Sequence, residues 1–276
     1  MNYPSTSHTM KVPGATLYYE VRGSGPVLLM IPGGPADAGV FSGLAGCIAD
    51  RHTVVAYDPR GNSRSIFDGA PEKQQLDVHG DDAARLIETV GTGPAYVLGS
   101  SGGAQIGLNL AARHPARVRT LVAHEPPCIQ MLPDASQVLT ATQEVYDTYL
   151  RDGVRPAMQK FMQMAGLGGP PPQAAPPLPE AQAAFARFQG NMDYFLAHGL
   201  WPISMFVPDV ATLRAGPVRV VVGVGESTKG QIAYRTAVAL AQKLGTERAT
   251  FPGDHNGFGA RPESFAATLH RVLRGT

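Results

Sequence analysis

Two patterns of apolar residues alternate along this chain, and they predict different elements. Residues 27–31 form a short apolar run without polar alternation, as expected of a strand covered on both faces in a mostly parallel sheet, and residues 95–98 and 118–123 read as further apolar strands. Residues 53–57, 218–223 and 248–251 extend the series. Between these runs the spacing becomes helical. Ala83, Leu86, Ile87 and Val90 fall at i, i+3, i+4 and i+7, and Phe265, Leu269, Val272 and Leu273 form the stripe of a closing helix. Residues 9–12 and 16–21, separated by Pro13-Gly14, read as an opening antiparallel hairpin. The alternation stops between residues 127 and 215, where helical stretches at 135–151, 155–165, 179–198 and 210–213 are interrupted by the Gly- and Pro-rich segment 166–172 and by Pro176-Pro177. Gly199 is expected to end the third of these helices. The pattern therefore predicts an α/β core from residues 1–126 and 216–276, with residues 127–215 as a helical cap.

Composition narrows the partners. A net charge of +1, with 16% charged residues and no basic block, points to no nucleic acid and no anionic membrane surface, and leaves small-molecule substrates. Cys47 and Cys128 stand far apart, outside any metal-ligand spacing, so neither a disulfide scaffold nor a metal site is expected. The polar N-terminus lacks the apolar core of a signal peptide, and no apolar run reaches the roughly 18 residues of a membrane span. A cytoplasmic protein, monomer or homodimer, is the resulting expectation.

Chemistry concentrates where strands end. Gly99-Ser100-Ser101-Gly102-Gly103 follows an apolar run and precedes a small-residue helix, the G-x-S-x-G pattern of a nucleophile elbow. Ser101 is its exposed hydroxyl, and the Gly102 N–H stands at a helix N-terminus as an oxyanion donor. Pro32-Gly33-Gly34-Pro35 closes the strand at 27–31 and exposes further N–H groups; Gly34 is the candidate second donor, with Gly33 beside it as a substrate contact. Glu125 ends the strand at 118–123, where open parallel sheets gather their functional groups. His255 follows the last strand in a glycine-rich loop that brings it to Ser101. Asp58 and Arg60, in a polar loop, are expected to pair and stiffen it. The cap is rich in Met158, Phe161, Met162, Met164, Phe185, Phe188, Met192, Tyr194, Phe195, Trp201, Met205 and Phe206. Most of these build its own packing, and the group implies an apolar, adaptable pocket. Trp201 and His198 are the individual candidates for touching substrate.

With a glycine turn after an early strand, a D-x-R-G loop, the serine elbow, a helical insertion and a terminal G-x-H in this order, the chain resembles the α/β-hydrolase family over nearly its whole length. The resemblance implies an eight-stranded, mostly parallel sheet with helices on both faces and an inserted cap, working without cofactor. The family's usual acid lies in a G-E-x-D segment after the next strand. Here that segment reads Gly225-Glu226-Ser227-Thr228, with threonine in the place of the aspartate, which leaves Glu125 as the acid of a Ser101, Glu125, His255 triad. Such an arrangement is similar to that of zearalenone lactonases, which implies hydrolysis of an ester or of a bulky apolar lactone. A carbon–carbon bond hydrolase on the same triad, or a ligand receptor on a hydrolase fold, are the alternatives.

Overall fold

The computed structural model describes residues 3–167, 179–246 and 248–275. Its opening strands, β1 (Thr6–Val12) and β2 (Ala15–Arg22), form the hairpin around Pro13-Gly14. Then come β3 (Val27–Ile31), α1 (Ser42–Ile48), β4 (Thr53–Tyr57), the two-residue β5 (Ile66–Phe67), α2 (Leu76–Val90), β6 (Ala95–Ser100), α3 (Gly102–Arg113) and β7 (Val118–His124). The insertion supplies α4 (Ala135–Asp152), α5 (Val154–Ala165), α6 (Pro179–Tyr194), α7 (Leu200–Met205) and α8 (Val210–Ala215). The chain closes with β8 (Arg219–Gly225), α9 (Ile232–Leu244), β9 (Arg248–Phe251), α10 (Gly257–Ala260) and α11 (Pro262–Arg274).

The sheet runs β1-β2-β4-β3-β6-β7-β8-β9. Pairing is antiparallel for β1 with β2 and for β2 with β4, and parallel from β4 onward. This is an α/β-hydrolase fold with eight ordered strands. The ninth, β5, is too short to carry a periodic signal and pairs off this path with β2. Strand residues point alternately to two faces, and both faces are covered. Leu29 and Ile31 pack with Val97 and Leu121 beneath α2, α3 and α9, whereas Leu28 and Met30 pack with Leu98 and Val122 beneath α1 and α11. All four residues from Leu28 to Ile31 are fully buried, each contributing roughly 1.5–3 kcal/mol of burial, which is why the run shows no polar alternation. The insertion has a smaller cluster of its own around Val145, Ala157, Met158, Phe195, Leu196 and Leu200.

Two local expectations are corrected. Gly199 does not end its helix: α6 passes through a π turn, Phe195–Gly199, into α7, with Gly199 still in the right-handed region. Pro202 has no N–H to bond to the carbonyl of His198 four residues back, and that carbonyl instead accepts from Gln74 N at 2.9 Å. Asp58 and Arg60 do not pair. Arg60 makes a two-pronged contact with Asp82 of α2, both distances 2.7 Å, while Asp58 receives Arg64 at 2.8 and 2.9 Å. Successive turns, Asn62 N to Pro59 O and Ser65 N to Asn62 O, fold the loop back so that Arg64, not Arg60, returns to Asp58. The proline-rich residues 170–172 and 176–177 lie outside the described residues. Among the described residues no helix is long and apolar enough to cross a membrane.

Candidate active site

The strand-to-helix turn between β6 and α3 places Ser101 at φ 54°, ψ −124°, a conformation that costs a non-glycine residue roughly 1–3 kcal/mol. Small neighbours make the turn possible. A Cβ on Gly103 would lie 2.1 Å from the carbonyl oxygen of Ile31, so no larger residue fits between α3 and β3. Ser101 N donates to His124 O at 2.9 Å, which ties the turn to the end of β7.

Glu125 follows directly on β7, also at positive φ (49°) and with no exposed surface. Its two carboxylate oxygens have separate partners. Oε1 accepts from Gly225 N at 2.8 Å and from the Thr228 hydroxyl, and Oε2 lies 2.6 Å from His255 Nδ1. Burial pushes this carboxyl up, but the hydrogen bond from His255, the proximity of His124 and His255, and the hydrogen bond from Thr228 together bring it down to about 2. It is therefore ionised at neutral pH. Glu226 is exposed and, among the described residues, its side chain pairs with Arg261 at 3.5 Å. The threonine in the G-E-x-D position thus supports Glu125 from the place where a carboxylate was expected, and this was visible in the sequence only as a departure from pattern.

His255 is 7% exposed. With Nδ1 turned to Glu125, its ring lines the same cavity as Ser101. The loop that carries it is laced to the segment after β8 by Glu226 N to Phe251 O and Ser227 N to Gly253 O. Beneath it, His124 is wholly buried among Phe251, Phe258 and Phe265, and burial drives its imidazole down to about 4.

Gly34 occupies φ 56° in the turn after β3, a region that glycine enters without strain. The turn approaches the elbow closely: a Cβ on Gly102 would stand 3.4 Å from Gly34 N, and one on Gly33 2.7 Å from the Cβ of Ser101. Among the described residues, neither Gly34 N nor Gly102 N has a protein acceptor. Both glycines, and Gly33, line the cavity. Two backbone N–H groups without protein acceptors among the described residues thus lie beside the elbow.

The cavity holds about 190 Å³ and is walled by Met158, Phe161, Met162, Phe188, Phe195 and Leu200, with His255 the one ionisable side chain among the described residues that line it. Trp201 and His198 are not in this wall. The His198 ring instead packs on Tyr194, centroids 5.2 Å apart, and the exposed Phe185 and Met205 likewise stand outside. Ile203, Ser204 and Ile232 line it without having been singled out, because single residues at a helix end carry no signal of which way they face. Among the described residues no group of three or more His, Cys, Asp or Glu side chains is gathered for a metal ion.

Comparison with known proteins fits this picture. A family profile described as "alpha/beta hydrolase fold" matches residues 26–198. The chain is 36% identical over 270 residues to the uncharacterized hydrolase YraK of Bacillus subtilis, covering 96% of this chain and 95% of that protein. Among solved structures, a thermophilic esterase from Thermogutta terrifontis superposes with a TM-score of 0.75 at 19% identity, over 98% of both chains. An alpha/beta hydrolase from Sphaerobacter thermophilus gives 0.69 at 24% identity, over 96% of this chain and all of the other. These last two likenesses bear on the fold.

Proposed function

The chain belongs to the α/β-hydrolase fold family, a hydrolase in that sense, and on this premise we propose that it cleaves uncharged carboxylic esters or lactones with an apolar acyl group through a serine-bound acyl intermediate. One observation carries the reading: the buried Glu125 to His255 contact of 2.6 Å opens onto the same apolar cavity as the strained Ser101. In the mechanism, the Ser101 hydroxyl attacks the carbonyl carbon while His255 takes its proton. Glu125 holds the imidazole in the tautomer with its proton on Nδ1 and stabilises the cation that forms. The N–H groups of Gly34 and Gly102 receive the oxyanion, each such donor being worth roughly 10²–10³ in turnover. His255 then returns the proton to the leaving alcohol, and water, activated by the same histidine, releases the acid.

The walls bear on the substrate. A substrate carboxylate would meet no arginine or lysine among the described residues that line the cavity, and burying it unpaired is costly. A cavity near 190 Å³ slightly exceeds the roughly 150 Å³ that holds a benzene ring. Aryl and short to medium alkyl esters therefore rank ahead of a macrocyclic lactone of the zearalenone type, which would have to extend through the mouth. We read the helices of residues 127–215 as the cap that forms these walls.

The test is a panel of p-nitrophenyl acetate, butyrate and benzoate, zearalenone and a β-diketone, assayed with the native chain and with Ser101→Ala. Ester turnover abolished by Ser101→Ala supports the reading, and turnover that survives it removes Ser101 as nucleophile. Cleavage of the diketone with esters ignored would transfer the protein to carbon–carbon bond hydrolysis.

A further inference from the structure

The turn that carries the Gly34 donor does not hold its own shape unaided. It is bridged by Ala36 N donating to Gly33 O at 3.1 Å, and Gly33 O belongs to the same peptide plane as Gly34 N–H, so whatever shifts Ala36 also turns the donor. The next three carbonyls are each taken by a side-chain amide from elsewhere. Asn62 Nδ2 donates to Gly34 O at 3.1 Å and to Ala36 O at 2.9 Å. Asn191 Nδ2, from α6, donates to Pro35 O at 2.9 Å and to Ser63 Oγ at 2.8 Å, and Asn191 Oδ1 accepts Ser63 N at 2.7 Å. Asn62 is fully buried and Asn191 is 5% exposed. Burying an amide costs free energy unless its hydrogen bonds are made, and here both donors and the acceptor of Asn191 are engaged. One helical turn earlier, Arg187 pairs with Asp37 at 2.5 Å, and Asp37 also accepts Ser63 Oγ at 3.0 Å. Thus α6 meets the oxyanion turn through a polar stripe, where an apolar one would have sufficed for packing alone.

We infer that Asn62 and Asn191 are positioning residues for the oxyanion hole, and that the Gly34 donor is aligned only while α6 is docked through Asn191. This rests on the triad reading above. It adds that the insertion does more than wall the cavity: a side chain remote from Ser101 in sequence sets the orientation of a backbone donor, and hence transition-state stabilisation rather than substrate affinity.

The experiment compares Asn191→Ala and Asn191→Asp with the native enzyme on p-nitrophenyl butyrate, together with the affinity for an alkyl boronic acid, which adds to Ser101 as a tetrahedral anion. Asn191→Asp keeps the acceptor for Ser63 N but loses the donor to Pro35 O, so both variants are expected to lose turnover alike. The expected result is kcat lower by about 10- to 100-fold, below the roughly 10²–10³ of deleting a donor outright, with KM within about threefold and boronate affinity reduced in parallel with kcat. A role in packing alone would lower the melting temperature without this parallel loss. Folded variants with kcat and boronate affinity within twofold of native, or a rise confined to KM, overturn the inference; if Asn191→Ala does not fold, the isosteric Asn191→Asp decides by the same criteria. Activity retained by Ser101→Ala would defeat the triad reading itself, whereas a dead Ser101→Ala beside unaffected Asn191 variants would defeat this inference alone.

Discussion

Thr228→Val probes how the carboxylate is held. The substitution removes the hydroxyl that donates to Glu125 Oε1 and lies 3.0 Å from the Gly225 carbonyl oxygen, and leaves Gly225 N at 2.8 Å and His255 Nδ1 at 2.6 Å in place. A hydrogen bond to a charged group contributes about 1.5–3 kcal/mol. Two other donors keep hold of the carboxylate, so the low end applies: about 1.5 kcal/mol, or about one pKa unit. The carboxyl of Glu125, now at about 2 against an ordinary 4.5, should then titrate roughly one unit higher in the folded variant. A depressed carboxylate contributes stability that is fully present above its unfolded value and is lost as pH falls through its folded value. The variant should therefore melt roughly 3–6 °C lower throughout pH 5–8, with the gap closing as pH falls from about 3 to about 2, where first the variant and then the native form becomes protonated. Calorimetry across this range checks it, with Thr228→Ser expected to restore most of the loss. At pH 8 the acid stays ionised, and kcat should fall less than tenfold. A melting gap that is absent at pH 7, or that serine does not narrow, would refute the account of the clamp.

Glu125→Gln should lower kcat by about 10⁴, the scale known for replacing a triad carboxylate by its amide, while Glu226→Gln changes it little; steady-state ester hydrolysis decides, and the reverse order would move the acid to the segment after β8. His124 and His79 are buried and held down to about 4 and about 3 from 6.5, so between these values and 6.5 the unfolded chain binds protons that the folded chain refuses. Their contribution is present above pH 6.5 and lost as pH falls, together roughly 4 kcal/mol between pH 7 and 5, and urea unfolding at the two pH values should show it; equal stabilities would contradict it. Gly34→Ala places a side chain at φ 56° and should cost about 1–2 kcal/mol in stability and about 10- to 100-fold in kcat through the displaced donor. Phe188→Ala should widen the cavity and raise the ratio of kcat/KM for p-nitrophenyl octanoate over acetate by about tenfold; an unchanged ratio would place the acyl chain elsewhere.

The sheet was legible because its central strands are buried on both faces, so Val27–Ile31 announces itself as an unbroken apolar run and Val118–His124 as a mostly apolar one interrupted by Arg119 and Thr120. Ser101 was legible through the glycines its turn requires, and Glu125 and His255 through their places at strand ends. Contacts made by side chains from distant segments were not. Asn191 in α6 reaches Ser63 and Pro35 across 128 and 156 residues, and nothing in the local sequence separates it from a solvated polar residue. Trp201 was singled out for being the one tryptophan, yet what decides contact with the cavity is the direction of the chain after the π turn at Phe195–Gly199, a register that residue spacing does not encode. The Asp58 loop misled for a related reason: two opposite charges two residues apart suggest a pair, but consecutive turns send each to a different partner.

Ser101 and Glu125 sit at the ends of neighbouring strands. Backbone bonds from Ser101 N to His124 O and from Glu125 N to Gly223 O lock both into the central ladder. Only His255 arrives on a connecting loop. Warming should accordingly silence the protein by loosening that single arm while the scaffold is still intact, so loss of turnover is expected to begin several degrees before circular dichroism registers any melting.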